Sequence, residues 1–293
     1  MKNEALLKIG TCSWKYDSWI GIIYSEKAPA NYLKEYAQHY STVEIDQWFW
    51  SLYDHNQARL PDVKTVDEYN SSVPEDFEFS IKVPNSITLT HYHNKDKKAP
   101  LIENPYFFSN ELFERFLDSL SLLRDKLGPL IFQFEYLNKQ KMPLQKIFLD
   151  KLHTFIQKAP KGYKYTIETR NPNYLNNTYF SFLREHDLYH VFLQGYYMPP
   201  IVEIYQKFKA DLRDLTVIRL HGPNRKEIED LTKKRWSDIV APKDNELLEI
   251  NKMLQDLMAR QTEVYVNVNN HYEGSAPKTI QKMITNIKNA QLD

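Results

Sequence analysis

The stretch Tyr165-Thr166-Ile167-Glu168-Thr169-Arg170-Asn171-Pro172 has the pattern of a short strand that runs into a turn. Residues two apart on a strand point to the same face, so Glu168 and Arg170 share a face with Thr166. Pro172 restricts the residue before it to extended geometry and ends the strand. A carboxylate and a guanidinium at the C-terminal end of a strand form either a solvated ion pair or the floor of a binding site.

Strand-like segments alternate with helix-like segments on both sides of this stretch. The pattern predicts strands over Leu7–Cys12, Thr42–Trp48, Phe77–Val83, Leu130–Phe134, Lys164–Arg170, Tyr189–Gln194, Thr216–His221 and Glu263–Asn269. It predicts helices near Ala30–His39, His55–Asn70, Glu111–Lys126, Leu144–Gln157, Tyr179–His186, Ile201–Lys209, Glu246–Arg260 and Pro277–Gln291.

Eight strands alternating with helices over 293 residues indicate an α/β protein with a single (β/α)8 TIM-type barrel domain over residues 1–293. The connections after the third and seventh strands are predicted to be long loops. A doubly wound sheet is the alternative, but the chain lacks the glycine fingerprint of that fold.

The composition narrows the class of protein. The 38 basic and 38 acidic residues cancel, which disfavours capture of nucleic acid by bulk charge. Cys12 is the one cysteine, so intrachain disulfides and cysteine-only zinc sites are excluded. The N-terminus lacks the apolar core of a signal peptide, and no run of about 18 apolar residues predicts a membrane helix. We therefore expect a cytoplasmic protein that does not contact the membrane.

Polar side chains recur with a period of two on several strands, while the opposite faces are mostly apolar. The polar faces carry Glu44 and Asp46, Gln133 and Glu135, Arg219 and His221, and Asn267 and Asn269. In a parallel sheet covered by helices the apolar face meets the helices, so the polar faces should point into the barrel. They become more polar towards the C-terminal strand ends, where barrel enzymes keep their sites. The alternative is a purely structural network inside the barrel, in which these polar side chains hydrogen-bond only to one another.

Seven motifs occur in one order along nearly the whole chain. They are Ile9-Gly10-Thr11-Cys12-Ser13-Trp14, Thr42-Val43-Glu44-Ile45-Asp46, Phe79-Ser80-Ile81-Lys82, Gly128-Pro129-Leu130-Ile131-Phe132-Gln133-Phe134, Glu168-Thr169-Arg170-Asn171-Pro172, Arg219-Leu220-His221-Gly222 and Asn269-Asn270-His271-Tyr272-Glu273-Gly274-Ser275-Ala276-Pro277. Together they resemble the YecE-like family, also catalogued as domain of unknown function 72. The resemblance implies a TIM-type barrel and implies no particular reaction. Asp46-Gln47-Trp48 and Asn267 depart from the family pattern at the expected pocket.

Three residues are predicted to be catalytic. Glu168 would act as a general base beside Arg170, which would clamp an anion; a structural ion pair is the alternative. His221 can act as an acid, a base or a metal ligand, although a satisfied core histidine is the usual alternative. Glu44 lies near Asp46, and two nearby carboxylates can split their pKa values or share a cation.

The segment after the eighth strand has the pattern of an anion-binding helix start. Ser275 suits the N-cap and Pro277 the first turn, and barrels often bind phosphate in this region. We predict that Asn269, Asn270, His271 and Ser275 bind substrate, with ordinary helix capping acting in addition.

The other predicted substrate-binding residues are Arg170, Arg219, Gln133, Asp46 and Lys82. Lys82 would contact a phosphate or act as a catalytic amine, and a salt bridge to a neighbouring strand is the commoner alternative. No metal-binding motif is present. A divalent metal held by Glu44, Glu168, His221 and His271, with His91 and His93, remains an open alternative, and no other cofactor is indicated.

We expect a barrel whose polar pocket binds or transforms a small anionic metabolite, phosphorylated or carboxylated. The pattern leaves enzyme and binding protein both open and indicates no oligomeric state. Nucleic-acid binding or repair, by analogy with barrel endonucleases, is one alternative, and a continuous basic groove across the barrel mouth would favour it. A non-catalytic scaffold with a dry, fully paired polar ring is the other.

Overall fold

Eight parallel strands close into a barrel. The computed structural model describes residues 6–25, 28–53, 57–93 and 99–289. Its strands are β1 (Leu7–Cys12), β2 (Thr42–Ile45), β3 (Leu52–Tyr53), β4 (Gln57–Ala58), β5 (Glu78–Lys82), β6 (Leu127–Gln133), β7 (Lys164–Glu168), β8 (Tyr189–Gly195), β9 (Leu215–Gly222) and β10 (Glu263–Val268). The barrel runs in chain order from β1 through β2 and β5 to β10, which pairs back to β1, while β3 and β4 form a separate hairpin. The predicted (β/α)8 barrel is confirmed.

Helices cover the outside of the barrel. They are α1 (Tyr32–Tyr36), α2 (Val63–Ser72), α3 (Asn85–Thr88), α4 (Asn110–Ser119), α5 (Gln145–Lys158), α6 (Asn177–Glu185), α7 (Ile201–Phe208), α8 (Arg225–Thr232), α9 (Asp244–Ala259) and α10 (Ala276–Asn289). Short 3₁₀ turns cover Asp17–Trp19, Ser121–Lys126 and Pro172–Tyr174. The main apolar core lies between these helices and the outer faces of the strands. In the described part of the chain, no helix is long and apolar enough to cross a membrane.

Several predicted boundaries were wrong for local physical reasons. The helix predicted over His55–Asn70 begins only at Val63, because Asp62 caps it by accepting from the backbone N–H of Thr65 at 2.9 Å; His55 lies outside the described residues. The strand predicted to reach Trp48 ends at Ile45, where the chain turns.

Two long connections contain helices that the sequence pattern did not predict. Helix α3 follows the third barrel strand, and residues 94–98 of the same connection lie outside the described part of the chain. Helix α8 follows the seventh barrel strand and begins after Asn224, whose side chain accepts from the N–H of Glu227. The helix predicted over Glu111–Lys126 is interrupted after Ser119 and continues as a 3₁₀ turn.

A small apolar layer fills the barrel on the N-terminal side of the inward polar residues. Ile131, Val191, Leu215, Val217 and Tyr265 form a buried cluster separate from the main core. On β6 and β9, Ile131 and Val217 lie two residues before the inward residues Gln133 and Arg219. This cluster therefore lies on the same inward face. The barrel interior is therefore apolar in this layer and polar towards the C-terminal strand ends.

An ion-pair network closes the N-terminal end of the barrel. Lys8 lies 2.5 Å from Glu78 and 2.9 Å from Glu263, and Lys164 lies 3.3 and 3.1 Å from the same two carboxylates. The Tyr265 hydroxyl donates to both. Burial by itself raises the pKa of Glu78 and of Glu263, but the hydrogen bonds from Lys8 and Tyr265 outweigh it and lower both. The network ties four strands together at the end opposite the predicted site.

Replacing Glu263 with Gln should lower the free energy of unfolding at pH 7 by about 1–2 kcal/mol, because the variant loses a charged partner of Lys8 and Lys164. The folded-state pKa of Glu263 lies below its unfolded value. Its stabilisation is therefore present above that unfolded value and is lost as the pH falls through the folded pKa. Urea unfolding followed by circular dichroism should show a weaker acid dependence in the variant than in the wild type. Glu249→Gln, which alters an exposed pair with Lys252, is the control, and an equal effect in both variants would contradict a structural role for the network.

Candidate functional site

Arg219 is the cation at the centre of the polar layer. Its side chain is 1% exposed, and its Nε and Nη2 donate to the two oxygens of Glu44 at 2.7 and 2.6 Å. Its Nη1 donates to Glu168 and, at 3.2 Å, to Oε1 of Gln133. Both carboxylates are fully buried. One guanidinium therefore binds carboxylates on two strands and joins them to a third.

The barrel register brings these groups together. Gln133 pairs with Glu168 across β6 and β7, and Asn267 of β10 pairs with Arg219 of β9. The amide nitrogen and oxygen of Asn267 are buried without a hydrogen-bond partner in the described part of the chain. The departure from the family pattern at this position thus lies beside Arg219, buried inside the barrel.

Glu168 is held as an anion beside two guanidinium groups. Arg170 Nε donates to its Oε1 at 3.2 Å, from a side chain that is 27% exposed. Burial by itself raises the pKa of Glu168, but the positive charges of Arg219 and Arg170 outweigh it and keep the pKa below its usual value. The structure thus brings the predicted base and clamp together; whether Glu168 moves a proton stays a prediction.

A cavity of about 1050 Å³ opens at the C-terminal strand ends, above this layer. Its floor is polar, and aromatic rings form much of its wall. The lining includes Tyr16, Asp46, Phe49, Trp50, Lys82, Gln133, Tyr136, Arg170, Tyr196, Tyr197, Arg219, His221, Asn269 and His271. Glu44 and Glu168 lie behind Arg219 and Gln133 and are not part of the lining. The cavity is large enough for a small metabolite.

Lys82 and Asp46 occupy neighbouring strand ends on this floor. They follow Ile81 and Ile45, which pair across β5 and β2. Burial, followed by the charge of Arg219, lowers the pKa of Lys82 to about 8. Burial, followed by the charge of Glu44, raises the pKa of Asp46.

The predicted salt bridge of Lys82 is not formed with any of the described residues. Its side chain is 8% exposed, and its ammonium lies 3.6 Å from the centre of the Phe49 ring. A cation–π contact compensates a buried charge only in part. The cavity floor therefore carries a poorly compensated cation.

His221 lies between β1 and the segment after β8. Its Nε2 is 3.7 Å from Cys12 Sγ, and its Nδ1 is 3.3 Å from the Tyr196 hydroxyl. Tyr196 also stacks under Arg170, whose guanidinium is 4.6 Å from the ring centre. Burial, followed by the charge of Arg219, lowers the pKa of His221 well below its usual value, so the imidazole is neutral. Gly222 follows with φ of 75°, and a Cβ there would lie 2.5 Å from the His271 carbonyl oxygen.

The residues suggested for a metal do not meet as a set. Among the described residues, Cys12, Glu44 and His221 bring one ligand atom each within 4.8 Å of one another. Both oxygens of Glu44 are already bound by Arg219, and burial, followed by the charge of Glu44, raises the pKa of the Cys12 thiol. A thiol that keeps its proton and an occupied carboxylate are poor ligands. We read this cluster as part of the Arg219 network.

The predicted anion site at the last helix is organised differently. Asn270 Oδ1 accepts from the N–H of Ala276 at 2.9 Å, and the Ser275 hydroxyl is buried without a partner in the described chain. The Glu273 carboxylate lies at this helix start and accepts from Thr279 and Lys282 at 2.8 and 2.7 Å. Asn270 and Ser275 are buried and do not line the cavity. The Asn270 side chain thus already binds one N–H group of this helix start, and ligand binding by Asn270 and Ser275 stays a prediction.

Asn269 and His271 do line the cavity, at its edge. Asn269 Oδ1 accepts from the His271 backbone N–H at 3.0 Å, and His271 Nε2 lies 3.0 Å from Glu229. Glu229 in turn pairs with Arg225 at 2.6 Å. These side chains are joined to one another, and their role towards a ligand stays a prediction.

Of the aromatic wall, the sequence suggested only Trp50, as one of five tryptophans that could stack on a sugar or base, with ordinary packing as the commoner alternative. Tyr197 is 97% exposed, and Trp50 is 65% exposed. The signal available was a pair of tyrosines directly after Gly195, at the end of a predicted barrel strand. Phe49 and Tyr136 gave no such signal, because isolated aromatic residues in loops usually pack.

The comparisons with known proteins agree with this architecture. The family described as "Protein of unknown function DUF72" matches residues 8–292. The chain belongs to this family. No curated protein matches the chain.

Solved structures of DUF72 proteins share the fold. One from Enterococcus faecalis V583 is 20% identical with a TM-score of 0.68, and covers 96% of this chain and 95% of its own. A DUF72 protein from Thermotoga maritima MSB8 is 22% identical with a TM-score of 0.65, and covers 98% of this chain and 100% of its own. At this level of identity the likeness shows the fold alone.

Replacing Arg219 with Met should lower the free energy of unfolding by about 3–5 kcal/mol, because Glu44 and Glu168 stay buried without their cation. Thermal and urea unfolding measure the loss. Adding Glu44→Gln and Glu168→Gln should restore part of it, since the uncompensated charges are then removed. Arg184→Met, which breaks a surface pair with Asp211, should cost less than about 1 kcal/mol. A single Arg219 variant as stable as this control would show that the network is not structural.

Replacing Lys82 with Met should raise the stability of the protein at pH 7. The folded-state pKa of Lys82 lies below its unfolded value of 10.5, so the unfolded chain binds more protons and stability rises with pH between about 8 and 10.5. Below that window the buried cation costs roughly 2–3 kcal/mol, which the variant does not incur. Urea unfolding at pH 7 and pH 10 should show a gain that shrinks as the pH rises. Destabilisation at pH 7 would mean that Lys82 has a compensating partner.

Proposed function

We propose that this protein acts through the cavity at its C-terminal strand ends, which binds a small ligand carrying a carboxylate or phosphate group. The observation that carries the proposal is Lys82. It is a buried cation on the cavity floor without an ion-pair partner among the described residues. Burying an unpaired charge is costly, and an anion bound in the cavity would offset that cost.

Further donors converge on the same floor. Within the described chain, Arg170 donates to Glu168 through its Nε alone. The two terminal nitrogens of its guanidinium are left to face the cavity. Arg219 uses four of the five N–H bonds of a guanidinium, and the remaining one lies on Nη2. Gln133 accepts through its oxygen, and its amide nitrogen has no hydrogen-bond partner among the described residues, so it can donate to a ligand. In this proposal Arg170, Arg219 and Lys82 hold the anion.

The wall supports a ligand with a flat or apolar body. Tyr16, Trp50, Tyr136 and Tyr197 line the cavity around the polar floor. Such a division between an aromatic wall and a few convergent polar groups is typical of small-molecule sites. Glu168 and the neutral His221 remain the proposed groups for moving a proton if the bound ligand reacts.

The rim of the cavity carries paired charges, which favours a small ligand over a nucleic acid. Lys141 is 2.6 Å from Glu135, and Arg225 is 2.6 Å from Glu229. A nucleic-acid surface instead presents cations along a stripe that is free to contact phosphates.

Isothermal titration calorimetry with malonate and with inorganic phosphate tests the proposal. We expect the wild type to bind at least one of the two anions, and Lys82→Met and Arg170→Met to weaken that binding about 10- to 100-fold, as loss of a charge-assisted hydrogen bond requires. Affinity should also fall as the pH rises through about 8, because Lys82 then loses its proton.

Lys146→Met is the matched control, since Lys146 is 80% exposed and pairs with Asp150 on α5, away from the cavity. It should bind as the wild type does. If the wild type binds neither anion, or if both cavity variants keep the wild-type affinity, the proposal is wrong.

A further inference from the structure

Lys82 lies at the end of a barrel strand, where its amine can reach a ligand in the cavity as a nucleophile. It ends β5 at the cavity floor, and its amine approaches the Phe49 ring face at 3.6 Å. Asp46 directly follows β2, the adjacent strand, at the level of Lys82, because Ile45 and Ile81 before them pair. The Lys82 amine therefore faces open space for a ligand on one side and an aromatic ring on the other, with a carboxyl group at the end of the neighbouring strand.

The surroundings of Lys82 favour loss of its proton. Positive charge on Arg219 acts on it directly, and its own burial disfavours the ammonium form. The charged and titratable groups that face it are Glu44 and Asp46 on or after β2, Glu168 on β7, Arg219 and His221 on β9, and Cys12 on β1. Two of the carboxylates, Glu44 and Glu168, are bound by Arg219. A desolvated amine beside another cation is a recognised way to activate a lysine.

We propose that Lys82 forms an imine with the carbonyl carbon of the anionic ligand. This inference rests on the proposed function and names its substrate class: an aldehyde or ketone that also carries a carboxylate or phosphate group. Lys82 attracts the anionic ligand in its ammonium form; once it has lost its proton it would attack the carbonyl, while Arg170 and Arg219 hold the anionic group. A 2-oxo acid and a phosphorylated ketone share this chemistry.

The step balances with groups present in the cavity. The unprotonated Lys82 Nζ forms a bond to the carbonyl carbon, and one proton passes from nitrogen to the carbonyl oxygen to give a carbinolamine. Asp46, acting as the acid, gives a proton to that hydroxyl group, the carbon–oxygen bond breaks and water leaves. The products are a protonated imine on Lys82, the Asp46 carboxylate and one water, with no net oxidation. The imine cation then lies near the carboxylate, which stabilises it.

Reductive trapping tests the inference. The wild-type protein is incubated with sodium cyanoborohydride and either pyruvate or dihydroxyacetone phosphate, then digested and analysed by mass spectrometry. We expect one reduced adduct per chain on Lys82 with at least one of the two carbonyl probes. The trapping rate should rise with pH with a midpoint near 8, and the exposed Lys146 should be modified far less than Lys82.

Lys82→Arg separates the imine from anion binding. Arginine keeps the positive charge and does not form the adduct, so the variant should bind malonate or phosphate in calorimetry yet show no trapping. If the arginine variant does not fold, peptide mapping of the trapped wild type decides, because the inference requires the adduct to lie on Lys82 and not on another amine. Lys146→Arg should be trapped at Lys82 as the wild type is.

The outcomes separate the two proposals. A wild type that binds an anion but is not modified at Lys82 by either probe overturns the imine and leaves the proposed function intact. Equal modification of Lys82 and Lys146 also overturns it, because Lys82 would then react as an ordinary surface amine does. A wild type that binds no anion and is not modified overturns both.

Discussion

A guanidinium sealed inside a barrel is stable only if it meets carboxylates at hydrogen-bonding distance, and this constraint organises the polar half of the molecule. Arg219 is 1% exposed and binds Glu44 through two nitrogens while also reaching Glu168. The desolvation of three charged groups is offset only when their geometry is good. Strands β2, β7 and β9 must therefore keep their register for the barrel to close, and the floor of the cavity is fixed as a consequence.

The two ends of the barrel differ in how fully their charged side chains are paired. At the N-terminal end, Lys8 and Lys164 form ion pairs with Glu78 and Glu263, so each of these four charges has a partner. At the C-terminal end, Lys82 and the outer part of Arg170 face the cavity. Between them lies an apolar layer that separates the networks. Ion pairs thus stabilise both ends, and the C-terminal end also carries a poorly compensated cation, which costs stability.

Particular residues show how far sequence reasoning reached. Strand alternation placed Glu44, Gln133, Glu168 and Arg219 on inward faces, and the structure joins these four by hydrogen bonds. The same reasoning put Ser275 and Asn270 at an anion site; in the structure both are buried and Asn270 caps Ala276, and their binding of a ligand stays a prediction. Helix-start motifs look alike whether their N–H groups meet a ligand or a side chain, because the capping chemistry is the same in both cases.

The sequence by itself determined the fold class and the faces of the strands, because periodicity reports directly which side chains point inward. It also marked the strand ends as the place of the candidate site. Only the tertiary structure decided which charges pair. Arg219 and Glu44 lie far apart along the chain, and closing the barrel sets the distance between them. The same closure leaves Lys82 on the cavity floor without an ion-pair partner among the described residues. The sequence could not show this, because no local pattern indicates which cation meets a carboxylate.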